Sequence, residues 1–281
     1  MVDPITVGAG AAVTAYLSKD GVSKLLGPTA EYLGGELKNF VAKSQENLGK
    51  IFAKAEEKAG SKLDTDGTVN SRVLKHVLDE GRFSEDELFA EYFGGVLASA
   101  RTEDGKDDRG VYYSGIIQSM SVYQLRFHYF FYNLMWGLVK GKSVDLNNYD
   151  GRFSLDLIVP CEVYERTFDA MPSDAEMGII GHALAGLSRL NLIEDNWKFA
   201  TPSLLNKEHI QVLTSSFFIT PSIPGLELFL WAHGRGEKGL SEFMALDLVG
   251  RDELNIQQKH LARFKTPEEF AATQRGRSIR D

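Results

Sequence analysis

The sequence predicts a mainly α protein: a helical N-terminal half followed by a smaller α+β unit. Three observations carry that expectation. Apolar residues recur at three- and four-residue steps through the first half of the chain, the signature of amphipathic helices. Runs of β-branched residues interrupted by proline appear only after Gly141, where short strands become the better reading. The composition is that of an ordinary globular chain, 281 residues with 43% hydrophobic and 25% charged, which excludes disordered, collagen-like and disulfide-scaffold classes. The expected division is a helical domain over 1–140, an α+β unit over 141–240, and a helical extension with a basic tail over 241–281.

The first candidate element is ITVGAGAAVTAYL, Ile5 to Leu17. The charge ahead of it is Asp3, where a secretory signal needs a positive region, and the run is shorter than the ~20 apolar residues of a spanning helix. It reads as a buried or interfacial helix. Its small residues, Gly8 and Gly10 among them, leave insertion into a membrane as an oligomer as the alternative. A long helix follows from Pro28 to Ala59, with Leu33, Leu37, Phe40, Val41, Leu48, Ile51, Phe52 and Ala55 on one stripe. At 1.5 Å per residue it is about 45 Å long, more than a small neighbour covers. Leu33, Leu37, Phe40, Leu48, Ile51 and Phe52 are therefore expected to meet a second copy of the chain. LDTDGTVN breaks the pattern; Asp64 and Asp66 ahead of Gly67 match a fragment of a calcium loop whose other ligand positions are missing, and the segment reads as a turn.

A helix over Ser71–Glu80 comes next, closed by Gly81. Ser84 and Glu87 then form a capping box for a helix carrying Leu88, Phe89, Tyr92, Phe93, Val96 and Leu97. Beyond a charged loop from Ala100 to Gly110, helices are expected over Val111–Gln118 and Ser121–Val139. The second has Tyr123, Phe127, Tyr129, Phe130, Phe131, Tyr132 and Trp136 on nearly every face, so it must be buried on several sides. In the second half, Leu155–Tyr164 reads as a short strand, a helix starts at Ser173 or Asp174, and one or two strands precede a final helix ending near Gly234. A helix, then Asn-Leu-Ile-Glu, then a strand ending in Thr-Pro is how winged-helix units run, so the α+β part is expected to be winged-helix-like.

Chemical motifs are sparse. The six histidines have no ligand spacing to one another or to the lone Cys161, so no metal site or cofactor is expected. GxxxxGK[ST], GxGxxG and GxSxG are absent. The lone cysteine favours a reducing, cytoplasmic setting, with membrane association on activation as the alternative. A net charge of −8 argues against nucleic acid as partner, and Arg189 with Lys198 supplies few cations around the candidate wing. The densest polar constellation is the loop with Arg101, Asp107, Asp108 and Arg109, followed by Gln124, Arg126 and His128 on the next long helix. Asp107 and Asp108 with His128 have the chemistry of an acid–base or metal set. The structural alternative is a salt-bridged helix N-terminus, with Arg126 as its partner. The residues favour the structural alternative, and they are carried forward as a binding or structural loop with no catalytic set.

One stretch resembles a known family. EYFGGVLASAR (Glu91 to Arg101), DDRG (Asp107 to Gly110) and SVYQLRFHY (Ser121 to Tyr129), behind an acidic capped helix, are similar to the central region of the bacterial abortive-infection alpha family, and LLGPTAEYLG (Leu25 to Gly34) is similar in kind. The resemblance implies phage resistance by abortive infection and transfers no catalytic set. The expected function is thus anti-phage defence through binding of a phage protein or other infection signal, with self-association into a homo-oligomer. A membrane-acting effector and a winged-helix nucleic-acid-binding regulator are the alternatives.

Overall fold

A computed structural model describes residues 45–82, 86–148, 151–152, 155–168, 174–205 and 214–248. The described residues are mainly helical with two small antiparallel sheets, and the chain divides into two units. The first contains residues up to Val122 together with Leu228–Gly239; the second contains Tyr123–Glu227 together with residues from Leu240 on. The division at Val122 falls ahead of the expected boundary at 140, and the second unit resumes at Leu240, next to the expected boundary at 240. The aromatic helix belongs almost entirely to the second unit, and a short downstream segment returns to the first.

In the first unit, helix α1 (Gln45–Ala59) leads into a 3-10 turn (Gly60–Asp64), strand β1 (Thr68–Val69) and helix α2 (Ser71–Gly81). Helix α3 (Glu87–Ser99), strand β2 (Arg101–Thr102) and helix α4 (Gly110–Ser119) follow. The α1 stripe is core: Leu48, Ile51, Phe52 and Ala55 are all buried. They face α3, whose Gly94 lets the α1 backbone come close; a Cβ there would stand 2.8 Å from Ile51 O and 2.9 Å from Ala55 N. Asp86 caps α3 by accepting from Leu88 N; Ser84 of the expected capping box lies outside the described residues. Asn70 caps α2 in the same way through Arg72 N. β1 and β2 pair antiparallel, Val69 opposite Arg101.

The returning segment 228–239 is pinned at many points within this unit. Trp231 is buried and stacks on Tyr113 at 4.8 Å. Ser99 Oγ donates to Trp231 O and accepts from Gly236 N. Lys58 Nζ donates to Ala232 O at 2.8 Å and to Glu91 O at 2.6 Å, and the Glu91 carboxylate lies between Lys54 and Lys58. A buried charge needs such compensation.

The second unit is built on helix α5 (Val122–Val139). Nearly its whole surface is buried, as its apolar residues on every face require. Phe127 stacks on Tyr164 at 4.7 Å and meets Phe217 edge-on; Trp136 Nε1 donates to Leu246 O. Strand β3 (Leu157–Pro160), helices α6 (Cys161–Phe168) and α7 (Asp174–Arg189), strand β4 (Lys198–Ala200), helix α8 (Pro202–Leu205) and strand β5 (Ser216–Ile219) follow in order. The sheet order is β3-β5-β4, all antiparallel. The α7 end is a Schellman motif: Asn191 sits at φ 55°, Leu192 N donates to Leu187 O and Asn191 N to Ser188 O. Helix α9 (Ile223–Ala232) starts in this unit, where Ser222 Oγ accepts from Gly225 N as a cap. Beyond it, a short helix α10 (Glu242–Ala245) places Phe243 against Tyr132.

The N-terminal run Ile5–Leu17, the stripe residues Leu33, Leu37 and Phe40, and the basic tail lie outside the described residues.

Candidate functional site

The charged loop in the first unit is held together by its own ion pairs. The Asp107 carboxylate accepts a fork from Arg109 Nε and Nη2, which, with burial working the other way, holds it below the usual carboxylate range. Asp108 pairs with Arg72 of α2; the helix-borne cation expected there was Arg126. Arg109 also lies over the Trp231 ring at 5.7 Å. Arg101 is buried and donates to Lys62 O (2.6 Å) and Thr65 O (2.7 Å), tying the 3-10 turn to β2. Asn70 Nδ2 fixes the loop tip through Gly105 O. These contacts tie the loop to β1, α2 and the 3-10 turn, with Asp104, Asp107 and Asp108 each paired to a cation.

Gln124, Arg126 and His128 belong to the second unit, so the constellation read along the sequence falls into two halves. Gln124 is buried where α5 meets α7. Its Nε2 donates to His182 Nε2 at 3.2 Å, and Gly186 leaves room for its side chain. His128 is fully buried, stacks on Tyr132 at 4.5 Å and donates from Nε2 to Gly225 O at 3.1 Å. Arg126 is on the exposed side of α5. Leu48, Ile51 and Phe52, expected to meet a second copy, are covered by their own chain. That corrects the expectation for these three residues; Leu33, Leu37 and Phe40 of the same stripe lie outside the described residues.

The outward side of α7 is the surface sequence reasoning missed. Ile180, Ala183, Leu184 and Leu187 are buried, while Met177 (41% exposed), Gly178, Gly181, His182 and Arg189 face solvent. Nothing lies within 4 Å of a Cβ built at Gly178 or Gly181. Arg189 is the one Lys or Arg of the helix. Leu204 of α8, 55% exposed, adds a second outward apolar residue in the β4–β5 connection. Only the 3.6-residue period of α7 signalled this face, and which side is buried depends on the sheet.

Among the described residues no group of three His, Cys, Asp or Glu side chains is placed to hold a metal, and no helix is long and apolar enough to cross a membrane. Compared with known protein families, with curated proteins and with solved structures, the chain finds no match.

Proposed function

We propose that this chain is a binding protein of bacterial anti-phage defence, in which the second unit is a winged helix that offers α7 to a protein partner. The observation that carries the binding reading is topological. The order helix, strand, helix, helix, strand, connection, strand, with the first strand beside the third and the third beside the second, supports a winged-helix reading, in which α7 would take the recognition position. The α7 surface supports a protein partner over nucleic acid. Phosphate contacts need several cations, and α7 brings Arg189 alone beside Met177, Gly178 and Gly181. The family resemblance of Glu91–Arg101, Asp107–Gly110 and Ser121–Tyr129 supplies the link to abortive infection. Association of the chain with itself, as a homo-oligomer, belongs to the same proposal and would use surfaces other than Leu48, Ile51 and Phe52.

The test is a phage panel against bacteria carrying the gene, at low and high multiplicity of infection. The proposal expects protection at low multiplicity and collapse of the culture at high multiplicity. Unchanged plaque counts for every phage would overturn it.

A further inference from the structure

We infer that a cross-strand row in the second unit, Asp156–Thr220–Asn196, is a proton-operated lock on the end of the three-stranded sheet. The register makes the row. Leu157 pairs with Ile219, so the residue just before β3, Asp156, stands opposite Thr220 on the same face, and Asn196 reaches Thr220 from the turn between the Ile193–Pro221 bridge and β4. The side chains join: Asn196 Nδ2 donates to Thr220 Oγ1 at 3.0 Å, and Thr220 Oγ1 donates to Asp156 Oδ1 at 2.5 Å. Asp156 and Thr220 are 5% and 2% exposed. The backbone closes the same end, with Glu194 N donating to Thr220 O and Ile193 bridged to Pro221.

Both of the row's partners are neutral, so an ionised Asp156 is a buried charge held by one hydroxyl. A proton taken from solvent onto Oδ2 removes that charge and leaves the Thr220 hydrogen bond to Oδ1 in place. Burial pushes the carboxyl up to about 6, with the Thr220 hydrogen bond opposing it. The charged neighbours along these segments are Arg152, Glu194, Asp195 and Lys198. Arg152 Nη1 is committed to the Leu146 and Asn147 carbonyls. A second sign of strain at this end is Asn196 Oδ1, buried without a hydrogen-bond donor. Because the folded carboxyl binds its proton more tightly than an unfolded one, the stabilisation is full at acid pH and is lost as pH rises through about 6. The lock therefore tightens on acidification, at the base from which α9 departs three residues after Thr220.

The test uses the full chain labelled with 13C at the aspartate carboxyls, Asp156 being assigned by its loss in Asp156→Asn. The expected titration midpoint is about 6; a midpoint at or below ~4.5, near an ordinary aspartate, would overturn the inference. Melting of wild type and Asp156→Asn is then compared at acid and alkaline pH. The variant should gain relative to wild type as pH rises, and a difference independent of pH would count against the lock. Thr220→Val keeps the carboxyl and removes its hydrogen bond, so its Asp156 midpoint should move higher. A lower midpoint contradicts the row, whether or not Asp156→Asn folds.

Discussion

Gly95 offers the sharpest quantitative test of how the first unit is assembled. The returning segment runs so close to α3 that a Cβ at Gly95 would stand 2.0 Å from Ala232 O, 2.2 Å from its carbonyl carbon and 2.6 Å from its Cα. All three are backbone atoms, so no side chain can swing away. The same carbonyl accepts from Lys58 Nζ, and pushing it aside would loosen that bond too. Against this, Gly→Ala in a helix gains about 1 kcal/mol of intrinsic propensity. Overpacking costs typically ~1–3 kcal/mol, and the rigid backbone places Gly95→Ala at the upper end. The expected net loss is about 2 kcal/mol, a fall in Tm of roughly 5–10 °C for a unit of this size. Gly115 on α4 is the control: nothing lies within 4 Å of its Cβ position, so Gly115→Ala should gain up to ~1 kcal/mol. Urea denaturation of both variants with thermal melting as a second probe reads the difference. Gly95→Ala as stable as wild type would refute the close packing of residues 228–239 on α3.

Two further outcomes follow from the ionisable groups. Asp107→Ala should cost about 1 kcal/mol, because Arg109, the cation of the fork it removes, is 58% exposed while the carboxylate is 17% exposed; urea denaturation showing a loss above ~3 kcal/mol would mean the loop is a buried strut. Burial, with Lys58 adding to it, brings the His233 imidazole down to about 3, and Nδ1 donates to Phe229 O. A depressed histidine charges more readily when unfolded, so stability falls as pH drops below about 6.5, by on the order of 2 kcal/mol at pH 5. His233→Asn should flatten that acid limb in a melting series, and an unchanged limb would assign it elsewhere.

The legibility of this chain follows the range of its interactions. The helical periods of α1, α3 and α5 are local, and Leu48, Ile51, Phe52, Leu88, Val96 and Phe127 are buried as their spacing requires. What covers a stripe is not local. The Leu48 and Ile51 side chains meet Gly81 of α2, some 30 residues on, and α3 closes on the α1 backbone through Gly94; the apolar pattern alone is the same for a neighbour in the chain and a second copy. The charged loop was visible as a cluster, yet its cation is Arg72, 36 positions earlier. The cap of α3 is Asp86, directly ahead of the helix, while Ser84, where the capping signal was read, lies outside the described residues. The Asp156–Thr220–Asn196 row was invisible, because it exists only through strand order and register across 64 positions.

The central claim is that α7 presents a partner-binding face, and one experiment addresses it directly. Gly181→Glu and Met177→Glu add charge on the solvent side of α7, Gly181 having open space around its Cβ position and Met177 being 41% exposed. Phage protection by these variants is measured at low multiplicity beside their melting temperatures. The account predicts wild-type melting with protection lost. Protection at the wild-type level by the folded variants would contradict it.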